Sequence, residues 1–210
     1  MKTLLLAGAS GLVGQAVLRQ ALDDARVRMV IAPSRRPLPA HARLRNPVID
    51  FEALPTDADW WSADAVICTL GTTIGEAGSR AAFRKIDLDY PLAIARLAQR
   101  RGARTFALTS ASGANPESRI FYSRIKGELE RELAAMGFDS LTIVRPALLG
   151  GERARRRPAE YLGLKLLGAI GPVLPRRYRV VPAEAVAATL LRAALAALPG
   201  IAYVESEAIG

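Results

Sequence analysis

Residues 3–14 read Thr-Leu-Leu-Leu-Ala-Gly-Ala-Ser-Gly-Leu-Val-Gly. An apolar run, Leu4 to Ala7, leads into Gly8, Gly11 and Gly14. A helical pattern follows, with Val13, Val17, Leu18, Ala21 and Leu22 on one face. A buried strand, a glycine turn and a helix N-terminus form the opening of a dinucleotide-binding fold. Glycines let the backbone approach a pyrophosphate, and the N–H groups and dipole of the helix hold it. Ser10, Leu12 and Val13 of the same loop are candidate contacts beside the three glycines. The spacing is Gly-x-x-Gly-x-x-Gly rather than Gly-x-Gly-x-x-Gly, so its placement directly after a strand carries the reading.

Outward from that loop, strand and helix signals alternate along the 210 residues, which predicts an α/β fold with a doubly wound parallel sheet. Strands are expected over 2–7, 27–32, 47–50, 65–70, 105–109, 141–145 and 202–205. Helices are expected over 11–23, 82–100, 118–136, 159–167 and 183–197. Gly102 and Gly137 sit where C-terminal glycines end helices, and Pro182 suits the start of the last one. The length suits one domain, residues 1–210. Residues 146–182 hold an Arg-, Pro- and Gly-rich break in the alternation and are expected to form a small C-terminal substrate-facing lobe.

Composition narrows the partners. Half the residues are hydrophobic, enough for a sizeable core. The sole cysteine, Cys68, points to a reducing, cytoplasmic location and reads as a small buried hydrophobe. Cys68 and the sole histidine, His41, cannot make a Cys/His metal site, and no metal is expected. The first nine residues hold too short an apolar run for a signal peptide. No apolar stretch reaches the roughly 18 residues of a membrane span. The net charge of +9 is mostly arginine, with clusters at Arg153, Arg155, Arg156, Arg157 and at Arg176, Arg177, Arg179. A solvated surface or the rim of an anionic small-molecule site accounts for it. Peripheral membrane contact is a lesser alternative, and nucleic acid is disfavoured because no aromatics interleave the clusters. The sequence gives no oligomeric state.

Ligands of a parallel sheet bind beyond the carboxyl ends of its strands. After the second strand stand Arg35 and Arg36, where an NAD-preferring fold places an acid. Two guanidinium groups suit a 2′-phosphate and favour NADP(H) over NAD(H). Asp50 and Phe51 fall where an adenine would lie, although Phe51 equally suits a core position in a strand-end turn. Leu70, Gly71 and Thr72 follow the fourth strand, where Gly71 admits the cofactor backbone-close and Thr72 offers a hydroxyl. The fifth strand ends at Ser110; Tyr122 follows twelve residues later and Lys126 four after that. Positions i and i+4 share a helix face, and a nearby ammonium favours a phenolate. Tyr122 is thus a candidate general acid or base, and Ser110 a candidate to orient a substrate carbonyl.

The glycine loop with Ser110, Tyr122 and Lys126 resembles the short-chain dehydrogenase/reductase superfamily in its atypical or extended form. Leu70-Gly71-Thr72-Thr73, Asp87-Leu88-Asp89-Tyr90, Gly113-Ala114, the stretch from Tyr122 to Glu128, Arg145-Pro146 and Arg157-Pro158-Ala159-Glu160 resemble, more closely, the HIV Tat-interacting-protein-like oxidoreductases. The resemblance implies an NADP(H)-binding Rossmann fold with Ser110, Tyr122 and Lys126 at the active site. It also implies that Lys126 meets the nicotinamide ribose and that the backbone at Pro146 lies near the carboxamide. Where many members carry an asparagine used in a proton relay, the nearest residue here is Asp87. Relatives include reductases, sugar-nucleotide epimerases and cofactor-binding regulatory or assembly proteins. A reductase is the first expectation, since the residues after 145 are few for a nucleotide-sugar lobe.

Overall fold

A computed structural model describes residues 1–150 and 180–210. The described chain builds a parallel sheet of seven strands in the order β3-β2-β1-β4-β5-β6-β9. They are β1 (Lys2–Ala7), β2 (Val27–Ile31), β3 (Leu44–Arg45), β4 (Ala65–Cys68), β5 (Thr105–Thr109), β6 (Ser140–Arg145) and β9 (Gly200–Glu205). A separate parallel pair joins β7 (Leu148–Gly150) to β8 (Val180–Pro182). The order reverses between β1 and β4, the switch point at which such sheets open a ligand crevice.

The central strands are apolar on both faces because helices cover both. Leu5, Val66, Cys68, Phe106 and Leu108 face α4 (Tyr90–Arg100) and α5 (Phe121–Ala135). Leu4, Leu6, Ile67 and Ala107 face α1 (Leu12–Asp23) and α6 (Ala183–Ala196). Burying a leucine such as Leu5, with no exposed surface, contributes about 2 kcal/mol. Gly102 and Gly137 adopt φ of +96° and +74° just past α4 and α5, the left-handed turn that ends a helix.

Three expectations change. The third strand is Leu44–Arg45, not 47–50, which touches the sheet only through a bridge between Ser34 and Val48. Pro47 has no N–H to give, so regular pairing stops there. The helix expected over 82–100 is broken: α2 (Ile74–Ala77) and α3 (Arg80–Arg84) are capped by the Thr73 and Ser79 side chains, and Gly78 at φ +77° separates them. A π-helical turn, Lys85–Asp89, then joins α3 to α4, closed by the Tyr90 N–H donating to the Lys85 carbonyl. The helix expected from 118 begins at Phe121. The helix expected over 159–167, both arginine clusters and most of the 146–182 lobe lie outside the described residues.

Candidate functional site

The glycine loop is locked by close packing. Gly8 has φ +91°, and a Cβ there would sit 2.7 Å from Thr69 Oγ1. A Cβ on Gly14 would sit 2.0 Å from the Gly8 carbonyl oxygen, so α1 can leave the loop only if residue 14 has no side chain. The Thr69 hydroxyl donates toward the Ala7 and Gly8 carbonyls at 3.1 and 3.2 Å, and binds the loop to the end of β4. No side chain caps the start of α1. The first N–H groups of a helix have no partner within it, and they open here toward an anion.

A cleft of about 740 Å³ starts at this loop. Gly8, Ser10, Gly11, Arg35, Asp50, Phe51, Leu70, Gly71 and Thr72 line it, as does Thr69. Five expected contacts have other positions. The Val13 side chain is buried among α1, α6 and the sheet, Leu12 packs against that same core, and Gly14 lies beneath Gly8. Arg36 does not reach the cleft; its carbonyl accepts the Ser34 hydroxyl at 2.6 Å. Pro146 is buried away from it, with its carbonyl accepting the Ser112 N–H at 2.9 Å.

Sequence reasoning missed one wall of the cleft. Glu52 accepts Lys85 Nζ at 2.7 Å and the Tyr90 hydroxyl, and the Tyr90 ring packs on Phe51 with centroids 5.6 Å apart. Burial, together with the Glu52 hydrogen bond and charge, pushes the Tyr90 phenol up to about 12, so it stays protonated. The repeat of Glu52, Lys85 and Tyr90 has no local spacing, and no signal in the sequence would have joined them.

At the inner end of the cleft, Lys126 and Asp87 form a buried ion pair, Nζ to Oδ1 at 2.6 Å. Asp87 Oδ2 accepts the Thr72 N–H at 2.9 Å. Gly71 separates the pair from the cleft: a Cβ there would lie 3.4 Å from Asp87 Oδ1 and 3.5 Å from Lys126 Nζ. Burial works against the Lys126 charge, but Asp87 and the Tyr122 oxygen more than restore it and hold the ammonium above its ordinary range. Burial pushes the Asp87 carboxyl up, against the pull of Lys126 and the Thr72 N–H. The π-helical turn is what points Asp87 inward; such turns widen a helix by one residue and collect at functional sites.

Tyr122 stands one turn before Lys126 on α5, half-buried, its ring 5.6 Å from that of Phe83. Ser110, expected to orient a substrate carbonyl, is engaged within the protein. Its hydroxyl donates to buried Glu130, one turn beyond Lys126. Glu130 is held by Arg145 at 2.5 and 3.1 Å, and Arg145 reaches Glu205 at 2.8 Å. A carboxylate bound by a guanidinium is an acceptor only. The single Ser110 proton is therefore committed to Glu130. Tyr122, Lys126 and Glu130 recur every four residues on α5, so this third polar group was visible as a pattern.

The chain matches the model of the NAD(P)H-binding family over residues 8–195. It belongs to that family. Within that family it is similar to the HTATIP2 and fmp52 proteins. The fmp52 protein of Aspergillus niger is 34% identical over 183 residues, 82% of this chain and 77% of that one. The HTATIP2 protein of Rattus norvegicus is 34% identical over 174 residues, 80% of this chain and 72% of that one. A short-chain dehydrogenase family structure from Francisella tularensis shares the fold with a TM-score of 0.69 at 12% identity, covering 99% of this chain and 98% of that one. One expectation is overturned: the cytoplasmic location drawn from a single cysteine does not stand, because the fmp52 relatives are named mitochondrial. Cysteine count reports redox conditions, and more than one compartment is reducing.

Proposed function

We propose that this NAD(P)H-binding chain is an NADP(H)-dependent oxidoreductase acting on a small carbonyl or alcohol. The observation that carries the reading is the buried Lys126–Asp87 pair under Gly71, with Tyr122 one helical turn away. A protein that only stored a dinucleotide would have no use for a charged pair sealed at the nicotinamide end of its cleft. The fit of a dinucleotide rests on the uncapped start of α1, the missing Cβ atoms of Gly8 and Gly71, and the cleft of about 740 Å³ that both glycines line. When bound, the nicotinamide supplies or takes the hydride.

The residues divide the remaining work. Tyr122 donates its phenolic proton to the oxygen of a carbonyl being reduced, or takes one from an alcohol. Lys126, fixed as an ammonium by Asp87, keeps positive charge beside that oxygen and offers N–H donors upward past Gly71. Ser110, its proton held by Glu130, meets the substrate as an acceptor, so donation to the reacting oxygen falls to Tyr122. Arg35 is the cation that lines the cleft directly after β2, where the chain reads Pro33-Ser34-Arg35 with no acid in that stretch. That arrangement supports a 2′-phosphate, hence NADPH over NADH.

The test is turnover of NADPH against a panel of aldehydes, ketones and quinones, followed by nicotinamide absorbance. Tyr122→Phe should cut kcat by about 100-fold or more while the NADPH Kd stays within about twofold. Unchanged turnover in that variant removes the mechanism. Tight NADPH binding with no turnover on any substrate would point to a cofactor-sensing role.

A further inference from the structure

We propose that Asn46 is a positioning residue for cofactor choice, acting through Arg35. The inference rests on the reading of Arg35 as the 2′-phosphate ligand and adds what holds Arg35 in place.

Among the described residues the Arg35 guanidinium has no hydrogen bond and no ion pair. Nothing in its own contacts fixes where its charge stands. The loop beneath it, by contrast, is bound on both sides by one side chain. Asn46 Nδ2 donates to the Ala32 carbonyl at 2.5 Å and to the Ser34 hydroxyl at 2.8 Å. Its Oδ1 accepts the Leu38 N–H at 2.8 Å. Both faces of the amide are thus spent on residues 32 to 38, which bracket Arg35.

Ser34 passes the constraint onward. Its hydroxyl, an acceptor for Asn46, donates to the Arg36 carbonyl at 2.6 Å and closes a tight turn over Arg35. The backbone adds a rail on the same side, Ala32 N–H to the Arg45 carbonyl at 2.9 Å and Ser34 N–H to the Pro47 carbonyl at 3.0 Å. Asn46 lies between those two acceptors and does not line the cleft. It touches no part of the ligand space and can influence binding only by setting the loop. A long exposed side chain on a set loop loses less freedom on binding a phosphate than one on a wandering loop. Asn46 Nδ2 also takes the Ala32 carbonyl that Pro47, having no N–H, leaves without a ladder partner.

The experiment measures Kd for NADPH and NADH, and for the fragments adenosine 2′,5′-bisphosphate and 5′-AMP, on the full chain by fluorescence titration. Asn46→Ala should raise the NADPH and bisphosphate Kd about tenfold and move the NADH and 5′-AMP values under about twofold. Ser34→Ala, which removes the links to Asn46 and Arg36 but keeps those from Asn46 to Ala32 and Leu38, should shift the same ratio by about threefold and covers the case in which Asn46→Ala does not fold. Arg35→Ala is the reference and should abolish most of the preference. A merely structural Asn46 would weaken both cofactors equally, and that result overturns the proposal. An Arg35→Ala ratio that changes while the Asn46→Ala and Ser34→Ala ratios do not also overturns it and leaves the 2′-phosphate reading standing. An Arg35→Ala ratio that does not change sinks that reading and the proposal with it.

Discussion

Replacing Asp87 by alanine should damage the protein more than any other single truncation of a polar side chain. The change leaves the Lys126 ammonium buried with 5% of its side chain exposed and no carboxylate at 2.6 Å. Removing one partner of a buried pair costs about 3–5 kcal/mol, chiefly from the orphaned charge. The Thr72 N–H also loses its acceptor, a further cost of about 1 kcal/mol. Against a net stability of about 5–15 kcal/mol this is a large fraction. In urea, with a slope of about 2 kcal/mol per molar, the midpoint should fall by about 2 M. Buried Trp60 and Trp61, packed in the same core as Leu88 and Ile125, report unfolding by fluorescence. Adding Lys126→Met to Asp87→Ala should recover about 2 kcal/mol, because it removes the orphaned charge. The pH dependence separates the two proteins. In the native chain the Lys126 value lies above its unfolded one, so its contribution is full below about 10.5 and is lost as pH rises through the folded value. In Asp87→Ala, burial acts with no opposing carboxylate and depresses the folded value, so stability rises with pH from that lowered value up to about 10.5. A cost below about 1 kcal/mol, or no recovery in the double variant, would show that the pair is not sealed from water and would refute the reasoning.

Two further outcomes are expected. Gly14→Ala places a methyl 2.0 Å from a backbone oxygen that cannot swing aside, so NADPH binding should be lost and stability lowered by about 2 kcal/mol or more, read by titration and urea unfolding. Cys68 is fully buried with its thiol pushed up to about 11 by burial, so at pH 8 only about one thiol in a thousand is ionised. A chromogenic disulfide reagent should therefore label the folded chain no faster than it unfolds, and rapid labelling would contradict the burial.

Much of the sheet was readable because its strands obey one rule. Leu4, Leu5 and Leu6 in β1 and Phe106 to Leu108 in β5 are continuous apolar runs, as burial on both faces requires. Glycine spacing located the cleft, because Gly8 and Gly14 answer to steric contacts that no other residue satisfies. The third strand was misplaced because Pro47 breaks the ladder and the Asn46 side chain, not a backbone N–H, pairs with the Ala32 carbonyl, which an apolar run at 47–50 does not show. The interrupted helix hid for a related reason. Its capping residues, Thr73 and Ser79, and its stop, Gly78, are all present in the sequence, but an apolar face that resumes in α4 masks them. The Ser110–Glu130 bond joins residues twenty positions apart on a strand end and a helix, and such pairing is decided by packing alone.

The π-helical turn at Lys85–Asp89 has a consequence for how this chain can vary. A regular helix advances about 100° per residue, and the wide turn holds one residue more than that helix would need between the same two ends. Deleting one of its five residues would let a regular helix join the same two ends, keeping the faces of α3 and α4 while moving the side chains inside the turn by about 100°. Asp87 would then leave Lys126. Lys85 and Asp89, both exposed, can change identity at little structural cost. The number of residues cannot change, so in this stretch the ion pair is encoded by an insertion and would be erased by its loss.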